Sequence, residues 1–351
     1  MVLGIAAVAA LLLSVVLVGL VRAWALRLGL VDRPAGRKAH DRPTPHLGGV
    51  AVAVGTVAVS LVAWWTGVPL GSGTGALLLA AGAVAVLGLV DDLRPMGARS
   101  RLVVEAGAAT LVVHHAGFGL LLGALAVVWI TFVTNAFNLL DNSDGAMGTV
   151  GAVTAFGLSV CAAAESLYGL ALVLCALAAA LAGFLIHNWY PARIFLGDCG
   201  SLFTGFVLSS AAVLVHDGHE PLTTAGSVFA LSAVVAADSL LVVVSRRRAG
   251  RSVLVGGTDH IAHRLRRLGL TTPGAAVLLG VASCAGVVVG LLLHRGVLGP
   301  TAALWVAAGV LAAVLGLLRV PVYTRHAPHP RLPGRPAAPG TAVDMAGGRG
   351  R

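Results

Sequence analysis

The residues able to do chemistry fall in short polar clusters separated by long apolar runs. One is the pair Asp91-Asp92, followed closely by Arg94, Arg99 and Arg101. A second is Asn135-Ala-Phe-Asn138-Leu-Leu-Asp141-Asn-Ser-Asp144-Gly145, in which Asn138, Asp141 and Asp144 lie three apart and would share one side of a helix. A third runs from His187-Asn188 to Phe195-Leu-Gly-Asp198-Cys-Gly-Ser201 and places Asp198 at an expected helix start, as a cap or as a ligand. Oxygen donors without interleaved Cys or His suit a hard cation such as Mg²⁺ better than zinc. Glycines on either side of Asp198 would let a metal-bound phosphate come near the backbone, and the first amides of a helix favour anions. Phe195 reads either as a stacking surface for a base or as a core residue.

Two further clusters are basic. Arg37, Lys38 and His40 precede Pro43-Thr44-Pro45 and Gly48-Gly49. The cations and Thr44 are donors suited to phosphate. The prolines favour extended backbone, and the glycines admit a ligand or a helix. In His260-Ile-Ala-His263-Arg264 the two histidines stand at i, i+3 without the intervening glutamate of a His-Glu-x-x-His zinc helix, so phosphate contact is the expected role. Asp238 stands alone in an apolar run, where a carboxylate is functional by default. Carboxylates that hold Mg²⁺ and cations that hold phosphate are the parts phosphoryl transfer needs.

The elements that position these groups are membrane helices. The chain has 351 residues, 58% hydrophobic and 11% charged, against about 25% charged in a soluble domain. Apolar runs near the length needed to cross about 30 Å of hydrocarbon are expected at 2–21, 48–66, 74–90, 101–115, 120–138, 148–165, 168–187, 200–215, 223–245, 273–293 and 300–318. The fourth is short and carries Glu105, so ten spans is the alternative count. The first run lacks a basic leader and reads as a span, not a cleaved signal peptide. With eleven spans, 23 of the 24 basic residues fall on one face, leaving only Arg295 opposite. The positive-inside rule then puts the N-terminus outside and the C-terminus and all five clusters in the cytoplasm. The net charge of +10 is thereby explained by topology and anionic lipid heads, not by nucleic acid. On the other face, His216-Asp217-x-His219-Glu220 looks metal-like but is expected to be a solvated loop. Residues 1–320 read as one all-α polytopic membrane bundle and 321–351, rich in Pro, Gly and Arg, as a disordered tail. The four cysteines form neither a disulfide framework nor a zinc site.

Over roughly residues 30–270, these motifs in this order resemble the polyprenyl-phosphate N-acetylhexosamine-1-phosphate transferases of glycosyltransferase family 4. The resemblance rests on Arg37-Lys-x-His40 with Pro43-Thr-Pro and Gly48-Gly49, on Asp91-Asp92, on Asn135-x-x-Asn138-Leu-x-Asp141-x-x-Asp144-Gly, on Asn188 with Phe195-Leu-Gly-Asp198-x-Gly-Ser, and on His260-x-x-His263. It implies a multi-pass plasma-membrane enzyme with a cytoplasmic Mg²⁺ site, Mn²⁺ being the alternative ion, and leaves a homodimer open. The implied reaction is attack of a polyprenyl phosphate on the β-phosphorus of a UDP-sugar, giving a lipid-diphospho-sugar and UMP. By the same resemblance Asp198 and Asn138 are the metal ligands. Asp91, with Asp92 beside it, is the candidate base or charge organiser. Asp141, Asp144, Asn188 and Phe195 line the nucleotide side, and His260 and His263 close on the sugar or diphosphate. Arg37, Lys38, His40, Thr44, Arg101 and Arg264 are the expected phosphate contacts. Two departures are visible: Ala262 stands where relatives carry a third histidine, and arginines follow Asp91-Asp92 where many carry lysine. The His-x-x-His-Arg-Leu form is closer to the UDP-GlcNAc branch than to the phospho-MurNAc-pentapeptide branch.

Overall fold

A computed structural model describes residues 1–32, 43–253 and 256–323. Its helices are α1 Val2–Leu28, α2 Gly48–Trp65, α3 Ser72–Leu93, α4 Ala98–His115, α5 Leu120–Leu140, α6 Ala146–Ala164, α7 Tyr168–Asn188, α8 Gly197–Val215, α9 Pro221–Leu231, α10 Ala233–Arg248, α11 Ile261–Arg267, α12 Thr272–His294 and α13 Ala302–Leu317. Each of the eleven expected spans has its counterpart. Eight helices are long and apolar enough to cross a membrane alone, and α9 with α10 makes a ninth, bent span. Helix α4 carries Arg99, Arg101 and Glu105, and α13 is shorter.

Helix α1 turns mostly small residues inward and large ones outward, as membrane helices do where they pack closely. On α1, Ala6, Ala10, Ser14 and Val18 face the bundle, while Ile5, Val8, Leu12, Val16 and Leu20 face outward at helical spacing. Helix α8 is the hub. It packs against α2, α3, α5, α6 and α7, and only three of its nineteen residues are not fully buried. It can sit there because its neighbours come unusually close. A Cβ on Gly49 would lie 2.1 Å from the Gly200 nitrogen, so the glycine pair at the α2–α8 crossing admits a helix, not a ligand.

The expected span 223–245 is broken. Helices α9 and α10 meet at Ser232 with a 73° bend. The Ser232 hydroxyl donates to the Val228 carbonyl at 2.8 Å, the back-bonding that bends helices, and Gly286 of α12 packs against the Ala230 carbonyl at the break. Val31–Asp32 (β1) and Thr44–Pro45 (β2) form a two-residue antiparallel ladder that brackets residues 33–42.

Two expectations are corrected. The packed domain reaches Tyr323, three residues into the segment read as a tail: its hydroxyl donates to Asp259 at 2.8 Å and the Arg251 guanidinium lies 4.3 Å from its ring. The remainder, 324–351, lies outside the described residues. On the face opposite Asp198, His216 is buried, not solvated, with its ring nitrogens against the Ala212 carbonyl and the Ser227 hydroxyl.

Candidate active site

The bundle brings the carboxylate clusters together at one end because α3 and α5 finish there and α8 begins there. Asp198 sits in the first turn of α8. Its Oδ1 accepts from Asn138 Nδ2 of α5 at 2.8 Å, and its Oδ2 accepts from Arg101 Nη1 of α4 at 2.9 Å. The same Arg101 nitrogen donates to Asp91 Oδ2 at 2.6 Å. A guanidinium thus bridges two carboxylates from helices far apart in sequence. Asn138 also donates to Ser201 Oγ at 2.9 Å, one helical turn along α8.

Asp92 does a different job from Asp91. Its Oδ1 and Oδ2 accept the backbone N–H groups of Asp198 and Cys199 at 2.9 and 3.0 Å. It caps α8 from a neighbouring helix, and a carboxylate there also complements the positive end of the helix dipole. These amides are therefore satisfied by protein rather than offered to a phosphate. Gly197 is held at φ +76°, and a Cβ there would meet the His46 carbonyl at 2.1 Å and the Asp92 carboxylate at 2.8 Å. The glycine before Asp198 serves this cap.

Beside the carboxylates lies an open cleft of about 330 Å³. Its lining includes Asp198, Asp141, Asp144 and Phe195 together with His263, Thr258 and Arg266. Asp144 Oδ2 accepts the Ala192 N–H at 3.0 Å, which ties the α5–α6 loop to the α7–α8 loop. Burial, then the charges of Asp198 and Asp92, push Asp141 up to about 7. Burial is the larger cause, and the two neighbouring carboxylates add to it. The donor set facing the cleft is carboxylate and amide oxygen, which fits Mg²⁺ or Mn²⁺. Asp198 would hold the ion, with Asn138 beside it and Asp141 and Asp144 within the same cleft. In His263, burial, then the neighbouring His260 and Arg266, push the imidazole down to about 4, so the ring entering the cleft is neutral.

Several expected contacts lie elsewhere. Asn188 forms part of the cleft wall, but its Oδ1 accepts from Gly145 N–H and its Nδ2 donates to the Ile194 carbonyl, both at 2.9 Å. Both ends of its amide are engaged in fastening two loops. His260 is buried behind the cleft: Nδ1 meets Asp238 Oδ2 at 2.8 Å, and the other Asp238 oxygen accepts the Ile261 N–H at 2.7 Å. The intramembrane carboxylate Asp238 thus anchors the start of α11. Arg264, expected on phosphate, is 1% exposed. It donates to the Asp259 carbonyl, to Ser245 Oγ, and to the Leu317 and Val320 carbonyls at the end of α13. It locks α11 to α13. Thr44 is buried in β2 opposite Asp32. Arg37, Lys38 and His40 lie outside the described residues.

Sequence reasoning missed the buried pair of Arg246 and Asp259, in which Nε and Nη2 each meet a carboxylate oxygen at 3.0 Å. The signal was present, since Asp259 directly precedes His260. Arg266, Thr258 and Tyr190 in the cleft carried no pattern that marked them.

Comparison with known proteins finds a matching family model and several relatives. The model of glycosyl transferase family 4 matches residues 74–216, which span α3 to α8. A Streptomyces coelicolor protein named only as a candidate glycosyltransferase is 54% identical over 324 residues, 91% of this chain and 77% of the relative. The decaprenyl-phosphate N-acetylglucosaminephosphotransferase of Mycolicibacterium smegmatis is 31% identical over 304 residues, 74% of each chain. The phospho-N-acetylmuramoyl-pentapeptide-transferase of Desulforudis audaxviator is 34% identical over 250 residues, 60% of this chain and 74% of that one.

Proposed function

Because the chain belongs to glycosyl transferase family 4, we propose that it transfers N-acetylglucosamine 1-phosphate from UDP-GlcNAc to a polyprenyl phosphate in the plasma membrane. The observation that carries this reading is the meeting of Asp91, Asp198 and Asn138 at one end of the bundle, beside a polar cleft. The lipid phosphate would reach the site from the bilayer and the nucleotide sugar from the cytoplasm.

Mg²⁺ would neutralise the diphosphate and the charge that develops on the leaving UMP. The chain's own residues set the stage. Asp198 is fixed by Arg101 on one oxygen and Asn138 on the other, so it presents its remaining lone pairs in one orientation. Asp91 accepts from Arg101 on one oxygen and from the Met96 N–H on the other, so both of its oxygens are already engaged. A phosphate monoester is already largely ionised near neutral pH, with a second pKa of about 6, so little base help is needed. Asp91 therefore organises charge. Arg266 and neutral His263 line the same cleft and would contact the donor, and Phe195 would offer a flat surface for the base.

The test is a donor screen with purified full-length protein, one polyprenyl phosphate and Mg²⁺. The readouts are UMP release and the mass of the lipid product. A GlcNAc-diphospholipid formed with UDP-GlcNAc, abolished by chelation and restored by Mg²⁺, is the expected result. No product with UDP-GlcNAc but turnover of UDP-MurNAc-pentapeptide would move the chain to the activity named for the Desulforudis relative. Ala262, at the position of the missing third histidine, is 1% exposed and packs in the core.

A further inference from the structure

The other end of the bundle carries a second group of ligating side chains, away from the carboxylate site. Glu165 caps the C-terminus of α6, His219 lies between α8 and α9, and His294 is the last residue of α12. Nε2 of His219 and Nε2 of His294 stand 3.5 and 3.1 Å from the same oxygen, Oε1 of Glu165. One ligand atom from each of the three lies within 4.8 Å of the others. The two imidazoles are inclined by 29°, with ring centres 4.9 Å apart.

His294 is the telling residue. Its side chain is fully buried, neither ring nitrogen has a hydrogen bond of good geometry, and the nearest polar atom to Nε2 is the Glu165 oxygen, an ion-pair contact at 3.1 Å. A buried polar atom left without a partner costs about 1–3 kcal/mol. The neighbouring polar groups are already used. His216 packs edge-on against His294 at 4.8 Å but meets Ala212 and Ser227 with its own nitrogens. Glu220 accepts the Leu222 and Thr223 N–H groups at the start of α9. The negative dipole ends of α6, α8 and α12 converge here, and the Glu165 charge adds to them against the single positive charge of Arg295 beside His294. Such a place favours a cation.

We propose that Glu165, His219 and His294 bind one Zn²⁺ ion, with water as the fourth ligand. Tetrahedral zinc with bonds of about 2.0–2.1 Å sets its ligand atoms roughly 3.3 Å apart. The two carboxylate–imidazole separations, 3.5 and 3.1 Å, straddle that value. His219 and Glu165 are partly exposed, with side chains 27% and 37% accessible, so they provide the entry route and the room to close on an ion. Two imidazoles and a single carboxylate select a borderline transition ion over Mg²⁺ or Ca²⁺. The ion would tie the α6–α7 turn, the α8–α9 turn and the end of α12 into one cap, a structural role independent of the transferase chemistry.

The test uses full-length, tag-free protein in detergent, stripped of metal and held in saturating Mg²⁺ so that oxygen-rich sites are filled. Zn²⁺ titration by calorimetry, metal content after gel filtration and thermal unfolding with and without Zn²⁺ are measured for the wild type, His219→Ala and Glu165→Gln. His219→Ala removes a partly exposed ring and is expected to fold; Glu165→Gln keeps the shape. The wild type should retain one equivalent of Zn²⁺ and gain thermal stability from it. Both variants should bind at least about 10-fold more weakly and lose the thermal gain. Co²⁺ in the wild type should give the intense visible absorption of a tetrahedral site. A wild type that binds no Zn²⁺ beyond the Mg²⁺-competed background, or variants that bind as the wild type does, would overturn the proposal.

Discussion

Asp92 accepts the backbone N–H of Asp198 at 2.9 Å, so one carboxylate of the α3 pair holds the helix that presents the central carboxylate of the site. The two residues are 106 apart in sequence, and their roles separate by mutation. Asp92→Asn replaces one accepting oxygen with a donor that faces an N–H. Bonds to a charged acceptor are worth about 1.5–3 kcal/mol, so thermal unfolding in detergent should show a loss of about 2 kcal/mol together with reduced turnover. Asp198→Asn should instead abolish turnover with a much smaller change in stability. Equal stability losses in the two variants would contradict this division.

The α2–α8 crossing leaves no room for a side chain at Gly49, where a Cβ would lie 2.1 Å from a backbone nitrogen. Backbone cannot step aside as a flexible side chain can. Gly49→Ala should cost more than about 4 kcal/mol, the range of severe core overpacking and network loss, and give no monodisperse protein on gel filtration. Gly82→Ala, in the same bundle with nothing within 4 Å of its Cβ position, should behave as wild type.

Arg264 and Arg266 are two residues apart and should give opposite phenotypes. Arg264→Ala removes a buried guanidinium and leaves the Leu317 and Val320 carbonyls of the α13 end unpaired. A loss of about 3 kcal/mol is expected, in the range found when one partner of a buried charged network is removed. Arg266 lines the cleft and anchors nothing in the core, so Arg266→Ala should raise KM for the nucleotide sugar several-fold with an unchanged unfolding temperature. Steady-state kinetics beside thermal unfolding will tell the two apart.

Buried His263 gives the stability a pH dependence of known sign. Burial, then His260 and Arg266, lower its folded-state pKa to about 4, against 6.5 when unfolded. The unfolded chain therefore binds the proton first. The contribution is intact above pH 6.5 and is lost as pH falls from 6.5 towards 4. The full difference between the folded and unfolded ring corresponds to about 3 kcal/mol as an upper bound. His263→Gln should lose less stability than the wild type between pH 7 and pH 5 in a thermal-unfolding series; parallel curves would refute the assignment.

The sequence alone determined the helical membrane class, because apolar runs of span length leave the backbone few other ways to satisfy its hydrogen bonds in a bilayer. It also determined which residues are chemically special, since Asp and Asn are costly in such runs and survive only with partners. Asp91, Asn138, Asp198 and Arg101 were visible for that reason, and the structure brings them together. What each polar group does was decided by tertiary structure. Nothing in Asp91-Asp92 reveals that the first meets Arg101 while the second caps α8, since adjacent helical residues point about 100° apart and meet different neighbours. Arg264 looks like a phosphate ligand in a basic loop until α13, some 50 residues later, supplies the carbonyls that occupy it. The loop His216–Glu220 reads as solvated until the ends of α6 and α12 arrive beside it with Glu165 and His294. Local composition sets which groups must be satisfied; only the packing of distant helices decides by whom.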